Sequence, residues 1–152
     1  MGAILSLIMA SEYEFNGVFT IGAPIGINNP FLKILPIINL FKKYYKTEAK
    51  QLKKDTNGKW VGYEKIPINV GIKIKTLLKE MEKSLSKISC PIILFQGKND
   101  SVIKKTSMNE IFEKISSKEK YKIWLENSDH PILCISDHEK IVSELIAFIE
   151  GL

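Results

Sequence analysis

The sequence predicts an α/β protein in which short parallel strands are covered by helices. Three observations lead there. Apolar, β-branched runs at Gly17-Val18-Phe19-Thr20-Ile21, Pro91-Ile92-Ile93-Leu94-Phe95 and Tyr121-Lys122-Ile123-Trp124-Leu125 are separated by stretches of helical periodicity. The runs are largely apolar instead of strictly alternating, as expected of strands covered on both faces. The last two close on polar turns that place Asp100 and His130 just past a strand's carboxyl end. That is where open parallel sheets bind their ligands.

The elements follow in order. Ala3 to Ala10 is predicted to be a buried helix, and Gly17 to Ile21 a buried strand ended by Gly22-Ala23-Pro24. From Gly26 to about Ser89 the character changes to helical patterns, Phe31 to Tyr45 and Val70 to Ile88, around a polar turn at Asp55-Thr56-Asn57-Gly58. In the second pattern Ile72, Ile74, Leu77, Leu78 and Met81 recur at broadly helical spacing with lysines between them. The strand Pro91 to Phe95 runs into Gln96-Gly97-Lys98-Asn99-Asp100. A helix from about Lys104 to Ile115 keeps Met108, Ile111, Phe112 and Ile115 on one face. After the strand Tyr121 to Leu125 comes Asn127-Ser128-Asp129-His130. A final helix, about Asp137 to Ile149, turns Ile141, Leu145, Phe148 and Ile149 inward.

At 152 residues and 45% hydrophobic, the chain is long enough to bury a core, and its mixed charge excludes a disordered segment. The net charge of +5 raises the question of nucleic acid, but all 22 basic residues are lysine. Arginine supplies the planar fork that grips phosphates and guanine edges, and lysine is only a point charge, so no nucleic-acid partner is expected. The densest run (Lys42, Lys43, Lys46, Lys50, Lys53 and Lys54) is read as a solvated helix face. Cys90 and Cys134 sit in apolar surroundings and read as small core residues, not a disulfide framework. Met1 to Ala10 is apolar but too short to span a bilayer and lacks a preceding positive charge. No membrane span is expected, and the cytoplasm is the expected location.

Asp100 and His130 stand in the order acid, then histidine, and loops after adjacent parallel strands can bring two such groups together. A carboxylate that stays ionised can orient an imidazole, which then moves protons to and from a hydroxyl nucleophile. Gln96-Gly97-Lys98-Asn99-Asp100 followed by Val102-Ile103 resembles the acid loop of carboxylesterases and monoacylglycerol-lipase-like hydrolases of the α/β-hydrolase fold. Ser128-Asp129-His130, a short loop and a C-terminal helix are similar to their histidine loop. Phe19-Thr20-Ile21-Gly22-Ala23-Pro24 resembles the strand that leads into their helical cap.

The resemblance covers essentially the whole chain. It implies one incomplete α/β-hydrolase domain over 1–152, with a cap insertion at about 26–89. Met1-Gly2-Ala3 resembles the nucleophile elbow from the residue after the serine onward. On that likeness the serine lies before Met1, Gly2 serves close helix–strand packing, and Met1 supplies an oxyanion-hole N–H. The implied activity is hydrolysis of short or medium acyl esters or monoglycerides, with Asp100 orienting His130 and no metal or organic cofactor. The chain alone is expected to lack triad chemistry. With no strand beside Gly17 to Ile21, it is also expected to self-associate through an exposed sheet edge. The alternative is a non-catalytic remnant or the binding half of a split hydrolase.

Other residues have simpler readings. Ser6 and Ser11 belong to the first helix or its end, Ser101 reads as a helix-start residue, and Ser128 as part of the histidine loop. His130, Cys134 and His138 are spaced as metal ligands on one helix face could be. Pro131 argues against a helix through His130, and Asp137 looks like the cap of a helix that starts later.

Overall fold

In a computed structural model of the chain, residues 1–26, 34–55, 58, 61–130 and 137–152 are described. The chain divides into two compact units, Met1–Asn28 with Leu78–Leu152, and Asn29–Leu77.

The first unit holds helix α1 (Gly2–Glu12) and strand β1 (Val18–Ile21). After the second unit it resumes with the end of α4 (Ile68–Ser84) and a 3-10 turn, Leu85–Lys87. Strand β4 (Ile92–Gly97), α5 (Ser107–Lys114), β5 (Lys120–Leu125) and α6 (His138–Glu150) follow. The sheet is parallel in the order β1-β4-β5, with Val18 opposite Ile92 and Ile92 opposite Lys120. The α/β class and its parallel strands are therefore as the sequence predicts.

Every residue of β4 is buried, because it has a strand on each side and cover on both faces. Side chains alternate along a strand. Ile93 and Phe95 meet Leu125 and Ile141, with Ile21, Ile123, Leu145 and Phe148 packed around them. Ile92, Leu94 and Gln96 point to the other face, where Gln96 reaches α5. Each fully buried aliphatic side chain contributes about 1.5–3 kcal/mol through area removed from water. The two outer strands depart from the prediction of burial on both faces. β5 shows Tyr121 and Lys122 to solvent, and Phe19 of β1 is 49% exposed. No described strand pairs with the outer edge of β1.

The second unit contains α2 (Leu35–Phe41), β2 (Tyr44–Lys46), α3 (Ala49–Asp55), β3 (Lys65–Pro67) and the start of α4. β2 and β3 pair antiparallel, with Tyr44 opposite Pro67 and Lys46 opposite Lys65. The sequence reading of one helix from Phe31 to Tyr45 is corrected here. The helix stops at Phe41, and Tyr44 and Tyr45, aromatic residues that favour strands, pair with β3 instead. The lysine-rich run is likewise not one helix face: Lys46 lies in β2, and Lys50, Lys53 and Lys54 lie in α3. Thr56 and Asn57 of the predicted turn lie outside the described residues, as do Phe31 and Cys134. Gly58 takes φ +81°, which suits glycine, and its N–H bonds Lys53 O at 2.7 Å.

Gly97 ends β4 with no room for a side chain, since an ideal Cβ would overlap the carbonyl oxygen of Ser128. Gly97→Ala should therefore push the loops after β4 and β5 apart and destabilise the chain by about 1–3 kcal/mol, the usual range for overpacking. Urea denaturation checks this, and an unchanged midpoint would show that the loops are not in such close contact. Gly2, expected to serve close packing, is different. A Cβ there meets nothing within 4 Å.

Candidate active site

The carboxyl ends of all three parallel strands meet at one place. From β1 comes Gly22, from β4 Asp100, and from β5 His130. Gly22 takes φ +63°, and its N–H continues the ladder to Phe95 O at 2.8 Å. A Cβ on it would lie 3.7 Å from His130 Cε1 and 3.9 Å from Asp100 Oδ2. The loop after β1 thus passes beside the imidazole, with a side chain's width between them.

The loop after β4 is built from its base. Gln96, wholly buried, accepts from Met108 N–H at 2.9 Å and donates to Lys104 O at 3.0 Å. That ties the far end of the segment between β4 and α5, and the start of α5, back to the strand. Lys98 N–H donates to Leu125 O at 2.9 Å and Asn99 N–H to Ser128 O at 3.2 Å. Asn99 Nδ2 adds a bond to Glu126 O, and Lys98 pairs with Glu126 at 2.8 Å.

Past these stems, Asp100 folds back on its own loop. Its Oδ1 accepts N–H bonds from Val102 at 2.9 Å and Ile103 at 3.0 Å, a turn suited to a short carboxylate. Its Oδ2 lies 2.9 Å from His130 Nδ1. The carboxylate is fully buried while the imidazole is 41% exposed. Burial alone would push the pKa of Asp100 up. The bond from His130, the Ile103 and Val102 N–H groups and the charge of His130 outweigh it, holding the carboxyl below its ordinary range. With Nδ1 engaged, Nε2 is the ring nitrogen left to act on another group.

The loop after β5 is held by aspartates. Asp137 occupies the N-cap position of α6, as the sequence suggests, but its side chain makes no cap bond. It turns back to accept from Ser128 Oγ and from Asn127 N–H at 3.2 Å. Asp129 accepts from His130 N–H at 2.6 Å and from Ser101 N–H at 2.9 Å. Ser101 is therefore corrected: it lies six residues ahead of the helix that begins at Ser107 and binds Asp129 instead of starting that helix. Reading the sequence missed Asp129, Gln96 and Gly22 as site-builders. The one available signal was the pair of short acceptors in Ser128-Asp129 beside a histidine.

The remaining candidates stand elsewhere. Met1 is the exposed N-cap residue of α1, its carbonyl accepting from Ile4 N–H at 3.0 Å. Ser11 Oγ bonds Ile8 O, and Ser128 is buried on Asp137. Cys90 is half-buried and free, its thiol pushed up by burial. Among the described residues no three His, Cys, Asp or Glu side chains stand together as a metal site, and no helix is long and apolar enough to cross a membrane.

Because Asp100 and Asp129 are both held below the ordinary carboxylate range, their contribution to stability is full above about pH 4 and falls as pH drops through their folded values. Asp100→Asn should lower stability near neutral pH by about 1–3 kcal/mol and flatten the acid limb. Denaturation midpoints measured from pH 3 to 7 check both. An acid limb as steep in the variant as in the parent would remove Asp100 as its source.

A family profile described as serine aminopeptidase, S33 matches residues 1–137. A carboxylesterase of Bacillus subtilis (strain 168) is 22% identical over 152 residues, all of this chain and 61% of that protein. A thermostable monoacylglycerol lipase of Bacillus sp. (strain H-257) is 30% identical over 95 residues, 62% of this chain and 38% of that one. The chain thus spans about three fifths or less of the curated relatives' length. Among solved structures, one reported with the metagenome-derived lipolytic enzymes LipS and LipT superposes with a TM-score of 0.87 at 24% identity, covering 100% of this chain and 62% of that one. That likeness shows the fold.

Proposed function

The chain belongs to the serine aminopeptidase S33 family of α/β hydrolases, and on that premise we propose that it carries the acid and base of a serine esterase and takes its nucleophile from residues outside this sequence. The observation that carries the reading is the 2.9 Å contact between His130 Nδ1 and a buried, ionised Asp100, each just past the carboxyl end of neighbouring parallel strands.

The chemistry follows from that geometry. A serine hydroxyl attacks the ester carbonyl carbon while His130 Nε2 takes its proton. Asp100 fixes the tautomer and stabilises the imidazolium without itself taking the proton. The tetrahedral oxyanion would receive the Met1 N–H. Collapse breaks the ester C–O bond, and His130 returns the proton to the departing alcohol. Water then repeats the sequence and frees the acid. Asp100 and His130 need no metal for these steps.

Substrates are proposed as short or medium acyl esters or monoglycerides. The insertion at about 26–89 is read as the cap, with Tyr44, Tyr45 and Tyr63 as its apolar surface; Trp60 lies outside the described residues. The carboxylesterase and the monoacylglycerol lipase that the chain resembles support this substrate class.

The reading predicts in-frame codons for Gly, any residue, then Ser immediately ahead of Met1. A chain extended through the full coding sequence should hydrolyse p-nitrophenyl butyrate, and Asp100→Asn should lower its kcat by about ten-thousandfold. The 152-residue chain should stay at background. Esterase activity in the short chain that survives His130→Ala would overturn the proposal.

One feature is expected equally of a second reading, the binding half of a split hydrolase or a non-catalytic remnant. Among the described residues no strand pairs with the outer edge of β1 and the buried Thr20 hydroxyl has no partner, while Phe19 is half-exposed beside that edge. Such an edge recruits strands, so the isolated chain should self-associate. Sedimentation velocity should show species larger than a monomer that Phe19→Lys dissociates. A monomer with one sharp thermal transition would sink this expectation.

A further inference from the structure

We propose that Asp129 is a positioning residue whose carboxylate clamps the loop bearing Asp100 to the loop bearing His130. The inference rests on the reading of those two residues as acid and base. It assigns a task to a third residue, one that acts through the other two.

The stems of the two loops are fixed by backbone bonds, Lys98 N–H to Leu125 O and Asn99 N–H to Ser128 O. Asp100 and His130 both lie beyond those bonds, where no further backbone–backbone bond joins the two loops among the described residues. Asp129 spans this part. Its Oδ1 accepts the N–H of Ser101, the residue after Asp100, at 2.9 Å, and the N–H of His130 itself at 2.6 Å. The Ser101 hydroxyl adds bonds at 3.0 Å to Oδ1 and 3.3 Å to Oδ2. One oxygen therefore joins the backbone beside the acid to the backbone of the base. The Asp100–His130 contact is bridged a second time, through main chain.

The arrangement also carries an opposing force. Asp129 sits near enough to Asp100 for their charges to repel, and burial further disfavours its ionised form. The N–H groups of Ser101 and His130 and the Ser101 hydroxyl outweigh both and keep it ionised. A neutral amide at this position would accept fewer and weaker bonds from the same donors. The clamp thus depends on charge as well as on shape.

Nuclear magnetic resonance on the whole 152-residue chain tests this, because it has only two histidines and His138 serves as internal control. In the parent, the His130 Nδ1–H proton should be visible far downfield and be lost in Asp100→Asn. Its absence from the parent would overturn the acid–base reading itself, separately from the clamp.

With that proton present, Asp129→Ala should speed exchange of His130 Nδ1–H and of the Ser101 and Val102 amides by about tenfold or more, as losing a bond to a charged group predicts. The Leu94 and Phe95 amides of β4 and the His138 ring should not change. Asp129→Asn should fall between parent and Ala. Ser101→Ala, at an exposed position, should give a smaller acceleration confined to the same groups, and it serves where Asp129→Ala does not fold. Exchange of His130 Nδ1–H within about twofold of the parent in the folded variants would overturn the clamp. So would equal acceleration across the sheet, which marks a role in global stability alone.

Discussion

The carbonyl oxygen of Ser128 occupies the space where a side chain on residue 97 would have to go, and much else in the first unit follows from that contact. Only because β4 ends in glycine can the loop after β5 press against it. The approach lets Asn99 reach Ser128 O and Lys98 reach Leu125 O, so the two loops leave the sheet as one ledge. Asp100 and His130 stand on that ledge with their side chains in contact. A side chain at position 97 would force the two loops apart, since its Cβ would overlap Ser128 O.

The aspartates on the ledge are used alike, and differently from the glutamates. Asp100, Asp129 and Asp137 each accept backbone N–H groups, two from their own or a facing loop in every case but that of Asp137, which takes one with a hydroxyl. Glu64, Glu82 and Glu126 pair instead with exposed lysines. Side-chain length explains the division. A carboxylate one carbon from the backbone reaches main-chain donors nearby, whereas one two carbons out reaches the flexible ends of lysines. The first kind fixes loop geometry. Exposed pairs of the second kind contribute little, about 0–1 kcal/mol each.

The parallel sheet was legible in the sequence because β4, buried along its whole length, reports that burial directly as the apolar run Ile92 to Phe95. Asp100 and His130 were legible because a strand's end predicts where a loop residue will stand. The second unit was less so. Tyr44 and Tyr45 continue an apolar helical pattern in one dimension, and only pairing with Ile66 and Pro67 makes them a strand. Asp129 was legible only as a neighbour of His130, because its partner Ser101 lies on another loop and no spacing along the chain records that meeting. The role of Gly22 was hidden for the same reason: its neighbours, His130 and Asp100, arrive from two other strands.

The order of the strands carries a cost in chain entropy that is unevenly shared. β4 pairs with β5 across a short helical connection, but with β1 only across the whole second unit, a separation more than twice as long. Closing a loop costs more as it lengthens, by about 0.6 kcal/mol for each doubling when the chain is flexible. The local β4–α5–β5 segment therefore closes more cheaply, and it holds both Asp100 and His130. The paired loops thus come from the part of the sheet least burdened by distance along the chain. β1, which contributes only Gly22 to the ledge, bears the larger share.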